Sequence, residues 1–338
     1  MHAIARRAAF VLFACALALA GGCRPAPPVE SPPTTAKLPA AKPAVFPMTL
    51  KDARGVEVTF PAPPQRIISM CPPLTETLFA LGLGDRVVGV TEYCKFPPEA
   101  RKKPKVGGII NPSEEKIVAL KPDVVFTTVG NPIEAMRSLE KTGVRVFSSD
   151  PKTYQQSCES IETVARICGV PEAGAKIAGD MRKVAGDVKA RLSAATGPQP
   201  SALLIVWLDP LFVAGPGTFT ADMLQLAGAH NVAAESKNPW KQLSLEMAVA
   251  ADPKVLILAS DHAPSGADAQ AKLKELRASE AWSSVRAVKT GHVVVIQSDL
   301  ILQTGPRLAQ GLKALAAAVH PELYQRASGS QQGTHGSR

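Results

Sequence analysis

The chain has 338 residues, a length typical of about two domains. Hydrophobic residues make up 46% of it and charged residues 20%, so the composition excludes a disordered chain, a collagen and a coiled coil. The net charge is +9, but the basic residues are scattered, and only three tryptophans and three tyrosines are present to stack on bases. The sequence therefore predicts no nucleic-acid binding.

The N-terminus has the layout of a secretory signal peptide. A basic start at Arg6 and Arg7 precedes an apolar run that ends at Ala20 and is too short for a comfortable membrane span. Leu-Ala-Gly-Gly then precedes Cys23, which resembles a bacterial lipobox, where the cysteine receives a diacylglyceryl group. We therefore expect residues 1–22 to be removed and Cys23 to anchor the protein to a membrane through its lipid. Ordinary cleavage, with Cys23 an incidental thiol, is the alternative.

Residues 23–47 predict the lipid anchor followed by a proline-rich tether. The segment from Arg24 through Pro47 contains eight prolines, a composition that stays extended and builds no core. No other stretch reaches about 18 consecutive apolar residues, so no second membrane span is predicted. A folded body on this tether would work on the periplasmic side of the membrane. Residues 326–338 form a polar tail that we expect to be disordered.

From residue 48 onward, short β-branched runs alternate with helical runs, which indicates βα units and mostly parallel sheets. We expect a first α/β lobe over residues 48–170, which starts with a hairpin. Its predicted strands are Arg66–Met70, Arg86–Thr91, Asp123–Thr128 and Val144–Phe147. Its predicted helices are Leu74–Leu81, Ser113–Leu120 and Ile133–Lys141.

A single long helix is predicted over Pro171–Ala195, between a proline at its start and Gly197 just after its end. Its apolar residues recur at helical spacing, at Ile177, Met181, Val184, Val188 and Leu192. About 25 residues at 1.5 Å each would span roughly 37 Å, which is longer than a usual crossover helix. We therefore expect residues 171–197 to form a rigid connection between two lobes.

A second α/β lobe is predicted over residues 198–325. Its predicted strands are Ala202–Leu208, Val255–Ala259 and Val293–Gln297. Its predicted helices are Phe219–Ala227, Leu245–Ala251, Ala269–Arg277 and Arg307–His320. The predicted fold class is therefore two Rossmann-like α/β lobes, with mostly parallel sheets, joined by one long backbone helix.

One pattern occurs in both lobes at a spacing of 131 residues. In each copy a serine caps a helix, a glutamate lies in its first turn, and a proline ends it before a strand. The copies are Ser113, Glu115, Pro122 and Val124, and Ser244, Glu246, Pro253 and Val255. Each glutamate alone could merely complement the positive end of its helix, which contributes about 0.3–1 kcal/mol. A matched pair of exposed carboxylates, however, suits docking onto a two-fold symmetric partner.

The segment from Arg66 to Thr128 contains the runs TEYCKFPPEA, VGG, NPS and ALKPD, and it resembles the helical-backbone (class III) periplasmic binding proteins of ABC importers. The resemblance continues through NPWKQLSLEMAVAADPKVLIL and QSDLILQTGPRLAQGL. These proteins serve the import of cobalamin, ferric siderophores and haem, and the sequence is most similar to the cobalamin-binding branch. The resemblance implies a ligand cleft between two lobes, no catalytic activity and no cofactor.

The resemblance also implies the partners and the binding residues. The protein would be a monomer that carries cobalamin or a related corrinoid to a permease dimer and its ATPase, with a ferric siderophore or haem as the alternative ligand. A corrin has a wide apolar face and a polar rim, which aromatic side chains fit well. The expected ligand-binding residues are Tyr93, Trp207, Phe212, Trp240, Asp299 and Arg307. Family members engage permease arginines through one glutamate on each lobe, and the matching positions are Glu115 and Glu246.

Four cysteines follow Cys23 in the sequence. Cys158 and Cys168 lie on one predicted helix, about 15 Å apart along its axis, so they cannot pair. Cys71 and Cys94 follow two strands predicted to be neighbours at one sheet edge, and an extracytoplasmic setting permits disulfides, so a Cys71–Cys94 bridge is expected. The alternatives are two free thiols in the cleft, or a thiolate ligand to a metal centre.

Other function classes lack their required parts. No G-x-S-x-G nucleophile elbow is present, and Asp261, His262 and Ser265 are adjacent in a loop, which does not imply a catalytic triad. The histidines lack metal-ligand spacing, so no metal site is predicted. Because fold alone does not fix function, a non-transport surface sensor or adhesin is the alternative of another class.

Overall fold

The fold contains two larger β-sheets, and a long helix lies between them in the sequence. The structure is a computed structural model that describes residues 43–234, 239–261 and 266–325. Several predictions concern residues outside these ranges. They are the signal peptide, the lipid site at Cys23, most of the tether, the tail, and the loop residues His262 and Ser265. Within the described ranges, no helix combines the length and the apolar character that crossing a bilayer requires.

The first sheet follows an N-terminal hairpin made of β1 (Met48–Lys51) and β2 (Glu57–Phe60). Its strands are β3 (Ile67–Ser69), β4 (Val87–Val90), β5 (Val124–Thr128) and β6 (Val146–Ser149). They are parallel, in the order β4-β3-β5-β6, and almost entirely buried, as expected for strands covered on both faces. The helices of this lobe are α1 (Pro72–Ala80), α2 (Glu114–Ala119), α3 (Ile133–Lys141) and α4 (Tyr154–Ile167).

The long helix α5 runs over Pro171–Leu192 and measures about 33 Å at 1.5 Å per residue. It begins at a proline, whose missing N–H is not needed in the first helical turn. The helix ends at Leu192 rather than at the predicted Ala195, because the chain turns there toward Gly197, which has a φ of 99°. Its buried side includes Ala178, Met181 and Val188.

The lobes are joined by more than α5, because α4 packs along α5 and also reaches the second half of the chain. The Tyr154 hydroxyl at the start of α4 donates to the Met181 carbonyl at 2.8 Å. The backbone N–H of Tyr154 donates to Asp222 Oδ2 at 2.7 Å, and Asp222 belongs to the second half. Cys158 and Ile161 of α4 belong to the same buried cluster as residues of the second sheet. The connection is therefore a pair of packed helices.

The second sheet has a parallel centre and an antiparallel edge. Its strands are β7 (Ser201–Trp207), β8 (Phe212–Ala214), β9 (His230–Asn231), β10 (Trp240–Gln242), β11 (Val255–Ser260) and β12 (Val293–Gln297). The order is β10-β8-β7-β11-β12, with β9 beside β7, and β8 and β10 are the antiparallel strands. The helices are α6 (Phe219–Leu226), α7 (Leu245–Ala250), α8 (Gly266–Ala278), α9 (Arg286–Thr290), α10 (Ser298–Ile301), α11 (Leu308–Val319) and α12 (Pro321–Gln325). The predicted fold class is confirmed.

The repeat with a spacing of 131 residues has a structural counterpart. Ser113 accepts a hydrogen bond from the backbone N–H of Lys116 at the start of α2, and Ser244 caps α7 in the same way. After these helices, Lys121 and Asp252 have positive φ angles of 45° and 41°, and they are also 131 positions apart. Each copy then leads into a central parallel strand, β5 or β11. We call β3–β6 with α1–α4 the first lobe, and β7–β12 with α6–α12 the second lobe.

Candidate functional site

A cavity of about 430 Å³ opens between the two lobes. Its first-lobe wall is formed by residues 71–73, Ile109, Thr128 and residues 150–152, and its second-lobe wall by residues 217–219, 239–240 and 302–304. Three of the first-lobe segments lie at the carboxyl ends of β3, β5 and β6. Open α/β sheets bind ligands at the carboxyl ends of their strands, so the cavity lies where this sheet topology predicts a binding site.

Buried Asn131 ties together the first-lobe loops that border the cavity. Its amide nitrogen donates to the Ile109 carbonyl at 2.8 Å and to the Met70 carbonyl at 3.3 Å. Its side-chain oxygen accepts from the backbone N–H of Thr128 at 3.0 Å. Because one side chain satisfies three loop groups, the loops after β3 and β5 and the loop around Ile109 are held in a fixed arrangement.

The second-lobe wall places two aromatic side chains together. Trp240 begins β10, which pairs with β8, and its ring lies 6.3 Å from the Phe219 ring in an edge-on arrangement. Phe219 begins α6, which is capped by the buried Thr218 through the N–H of Ala221. Trp240 is 46% exposed, so a large aromatic surface faces the open cavity. Such a surface can bind a flat apolar ligand at a low cost in conformational entropy.

The cavity combines apolar walls with a few polar groups. The apolar residues of the first-lobe wall include Pro72, Pro73 and Ile109. Polar side chains are contributed by Asp150 and Lys152, which form a 2.7 Å ion pair, and by Gln303 and Thr304. Apolar lining with a few polar groups is typical of a site that binds a small molecule and orients its rim.

The structure brings only part of the predicted ligand set to this cavity. Trp240 lines it, whereas Tyr93, Trp207 and Phe212 do not. Tyr93 and Trp207 are 57% and 58% exposed. Trp207 borders an adjoining cavity of about 230 Å³, which shares Leu302 and Gln303 with the first, and its indole N–H donates to the Asp209 carbonyl at 2.7 Å. Their part in ligand binding stays a prediction.

Arg307 and Asp299 also lie outside the cavity lining, and Arg307 has partners within the protein. Its Nε lies 2.8 Å from Glu76 Oε2, and one terminal nitrogen lies 3.6 Å from Asp299 Oδ2. Its guanidinium also stacks 3.8 Å from the ring centre of Phe96. The sequence reasoning missed Glu76 and Phe96. A carboxylate inside the apolar helix α1 was the signal that could have identified the first of them.

The predicted Cys71–Cys94 disulfide is wrong for this structure, in which both cysteines are free and buried. Cys94 Sγ accepts a hydrogen bond from Thr75 Oγ1 at 3.0 Å and lies 3.1 Å from Thr91 Oγ1. The thiol is therefore held by two hydroxyls. Cys71 borders the cavity, and burial raises the pKa of its thiol to about 12, so it is protonated at neutral pH.

The described residues contain no group of three or more histidine, cysteine or carboxylate side chains arranged to hold a metal ion. Asp261, the described member of the loop trio weighed as a triad, accepts a hydrogen bond from the Ser298 hydroxyl at 3.1 Å. The other two members of that trio, His262 and Ser265, lie outside the described residues.

Glu115 and Glu246 are both exposed in the first turns of α2 and α7. Hydrogen bonds from its own backbone N–H and from the Ser244 hydroxyl hold the pKa of Glu246 below its usual value. Glu246 is therefore ionised at neutral pH. The two helices present equivalent glutamates on the two lobes, as the sequence repeat predicts.

Comparisons with known proteins extend over both lobes. A sequence profile described as periplasmic binding protein matches residues 67–300. An uncharacterized ABC transporter substrate-binding lipoprotein of Bacillus subtilis is 30% identical over 84% of this chain and 89% of its own length. A vitamin B12-binding protein of Photorhabdus laumondii is 31% identical over 73% of this chain and 85% of its own length.

Solved structures are also similar to this chain. The periplasmic vitamin B12 binding protein of Vibrio cholerae aligns with a TM-score of 0.67 at 26% identity, covering 77% of this chain and 98% of that one. A periplasmic haem-binding protein of Pseudomonas aeruginosa aligns with a TM-score of 0.67 at 30% identity, covering 76% and 93% of the two chains. The profile match over residues 67–300 includes the first sheet, α5 and most of the second lobe.

Proposed function

The chain belongs to the periplasmic binding protein family, and we propose that within this family it captures cobalamin or a related corrinoid for an ABC importer. The coarser function follows from the relatives: a non-enzymatic, extracytoplasmic substrate-binding protein for import of the vitamin B12, haem or siderophore type. Such a protein works with a permease and its ATPase.

The observation that carries the corrinoid proposal is the inter-lobe cavity, which is lined by Trp240 on the second lobe and by Pro72 and Pro73 on the first. A corrin ring is flat, wide and largely apolar, and carries amides at its edge. The aromatic and proline surfaces suit its faces, while Gln303 and Thr304 can bond to its rim. The vitamin B12-binding relatives in both comparisons support the same ligand.

The proposal includes a lipid anchor at Cys23 and a tether over residues 24–47. It is supported by the lipobox-like sequence before Cys23 and by the lipoprotein description of the Bacillus subtilis relative. A carrier anchored in this way stays close to the membrane that contains its permease. Its local concentration there is set by the length of the tether and not by diffusion from solution.

The proposal also assigns Glu115 and Glu246 to docking. Both carboxylates are exposed, lie in the first turn of a serine-capped helix and occupy equivalent places in the repeat. Two like charges at matched positions fit two basic sites related by a two-fold axis, which is the symmetry of a permease dimer.

The direct test is calorimetric titration of the full chain, produced with Cys23→Ala so that it stays unlipidated. The ligands are cyanocobalamin, haem and a ferric hydroxamate siderophore. We expect a saturable one-to-one response with cyanocobalamin. A response only to haem or to the siderophore would overturn the corrinoid assignment, and no saturable response to any of the three would overturn all three ligand assignments.

A further inference from the structure

A second tie between the lobes lies beside the cavity, away from the α4–α5 pair. Glu76 belongs to α1 of the first lobe, and Arg307 directly precedes α11 of the second. One carboxylate oxygen of Glu76 accepts from Arg307 Nε at 2.8 Å, and the other accepts from the backbone N–H of Arg307 at 2.9 Å. Both oxygens of Glu76 thus bind the opposite lobe.

This contact is shielded from water. The Glu76 side chain is 5% exposed and the Arg307 side chain 14%. The Phe96 ring of the first lobe covers the guanidinium at 3.8 Å. Gly305 lets the second-lobe backbone approach closely, because a Cβ atom added there would lie 3.2 Å from the Glu76 carboxyl carbon. Shielding strengthens the attraction between the two charges and makes the loss of one partner costly.

The contact connects two of the segments that line the cavity, one from each lobe. Pro72 and Pro73 begin the same helix that carries Glu76 one turn later. Residues 302–304 line the opposite wall and lead directly into Gly305 and Arg307. Any movement that widens the cavity at this point must separate the two charges or bend one of these short segments.

We propose that Glu76 and Arg307 form a latch that holds the two cavity walls at a fixed separation and thereby slows the release of bound ligand. The pair acts by positioning the walls and not by touching the ligand. Its effect on ligand release rests on the proposed function, whereas its effect on lobe separation does not.

The test uses the full chain with Cys15→Ala and Cys23→Ala and nitroxide labels at Lys141→Cys and Lys289→Cys. These exposed positions lie on α3 and α9, outside the cavity, and the four native cysteines in the described residues are buried. Double electron–electron resonance measures the inter-lobe distance without ligand, and stopped-flow measures cyanocobalamin dissociation. The variants are Glu76→Gln and the conservative Arg307→Lys, which keeps the charge but loses the forked geometry.

The matched control is Glu162→Gln. It breaks a 2.6 Å ion pair with Arg182 between α4 and α5, away from the cavity. We expect either latch variant to broaden the distance distribution and to raise the dissociation rate about tenfold, while the control matches the parent protein in both. A distribution unchanged in both latch variants, or broadened equally by the control, would overturn the latch. If the parent protein binds no cyanocobalamin, the corrinoid assignment fails, and the distance measurement alone still decides on the latch.

Discussion

Trp240 and Trp282 are the same residue type in opposite environments. Trp240 is 46% exposed, lines the inter-lobe cavity and meets Phe219 edge-on. Trp282 is 6% exposed and belongs to a buried cluster of the second lobe with Leu273 and Val285. The first side chain is available to a ligand, and the second stabilises the fold.

Replacing each tryptophan with alanine should therefore separate binding from stability. We expect Trp240→Ala to lower cyanocobalamin affinity at least about tenfold and to leave the melting temperature nearly unchanged, because a half-exposed side chain contributes little to the core. Trp282→Ala should lower the free energy of unfolding by about 3–5 kcal/mol, because it leaves a cavity in the core. Calorimetry and thermal unfolding measure the two effects. A large stability loss with unchanged affinity in Trp240→Ala would contradict its assignment to the site.

At the residue scale, the sequence was informative where a role depends on local position. The first-turn positions of Glu115 and Glu246 could be predicted from the capping serines, whereas the resemblance to the family suggested that Trp240 lies at the cleft. Arg307 could not, because its partner Glu76 is 231 positions away and meets it only through the packing of the lobes. Cys94 was assigned to a disulfide because the sequence does not show that Thr75 and Thr91 hold its thiol.

At the scale of elements, the α4–α5 pair depends on a close approach at Gly174. A Cβ atom added there would overlap the Ala165 side chain of α4 and lie 3.3 Å from the Glu162 Cα atom. Gly186, on the same helix, has no atom within 4 Å of the corresponding position. Packing against α4 therefore requires a glycine at position 174, whereas position 186 of the same helix has room for a Cβ atom.

The same substitution at these two glycines should have opposite effects. We expect Gly174→Ala to lower the free energy of unfolding by about 1–3 kcal/mol, because the added methyl group pushes α4 and α5 apart. Gly186→Ala should raise it by about 0.5–1 kcal/mol, because alanine restricts the unfolded chain and favours the helix. Urea unfolding of the two variants measures both changes. Equal effects would mean that α4 and α5 do not pack as described.

Element positions were predictable where a periodic pattern was strong. The parallel strands other than the two-residue β9 were predicted within a few residues, and so was α5, because buried β-branched runs and helical spacing are local properties. The antiparallel pair β8–β10 was not predicted. Its strands are three residues long and are paired by contacts across the fold rather than by a recognisable hairpin turn.

At the level of both lobes together, the proposed docking surface consists of two equivalent exposed glutamates, one on each lobe. We expect Glu115→Lys together with Glu246→Lys to abolish cobalamin uptake by cells, because two attractive contacts with the permease become repulsive. Ligand affinity should stay unchanged, since neither residue lines the cavity. Glu134→Lys is the control, because Glu134 is an exposed first-turn glutamate of α3 outside the repeat. Normal uptake by the double variant would remove the docking assignment.

The general architecture was readable from the sequence because alternating βα units and one long helix leave few alternatives. The role of α4 as a second connector, and the Glu76–Arg307 contact, required the packed structure. Both arise from residues far apart in sequence. The domain boundaries proposed from the sequence, including the anchor, the tether and the tail, stay predictions.

The most direct test is a crystal structure of the protein with cyanocobalamin. The corrin ring should lie between Trp240 and the start of α1 at Pro72, touching both lobes, with the Glu76–Arg307 contact intact. A larger cavity of about 760 Å³ lies beside α5 and is lined by Lys189 and His320 among others. A corrin bound in that cavity, or bound to one lobe alone, would contradict the proposed mode of capture.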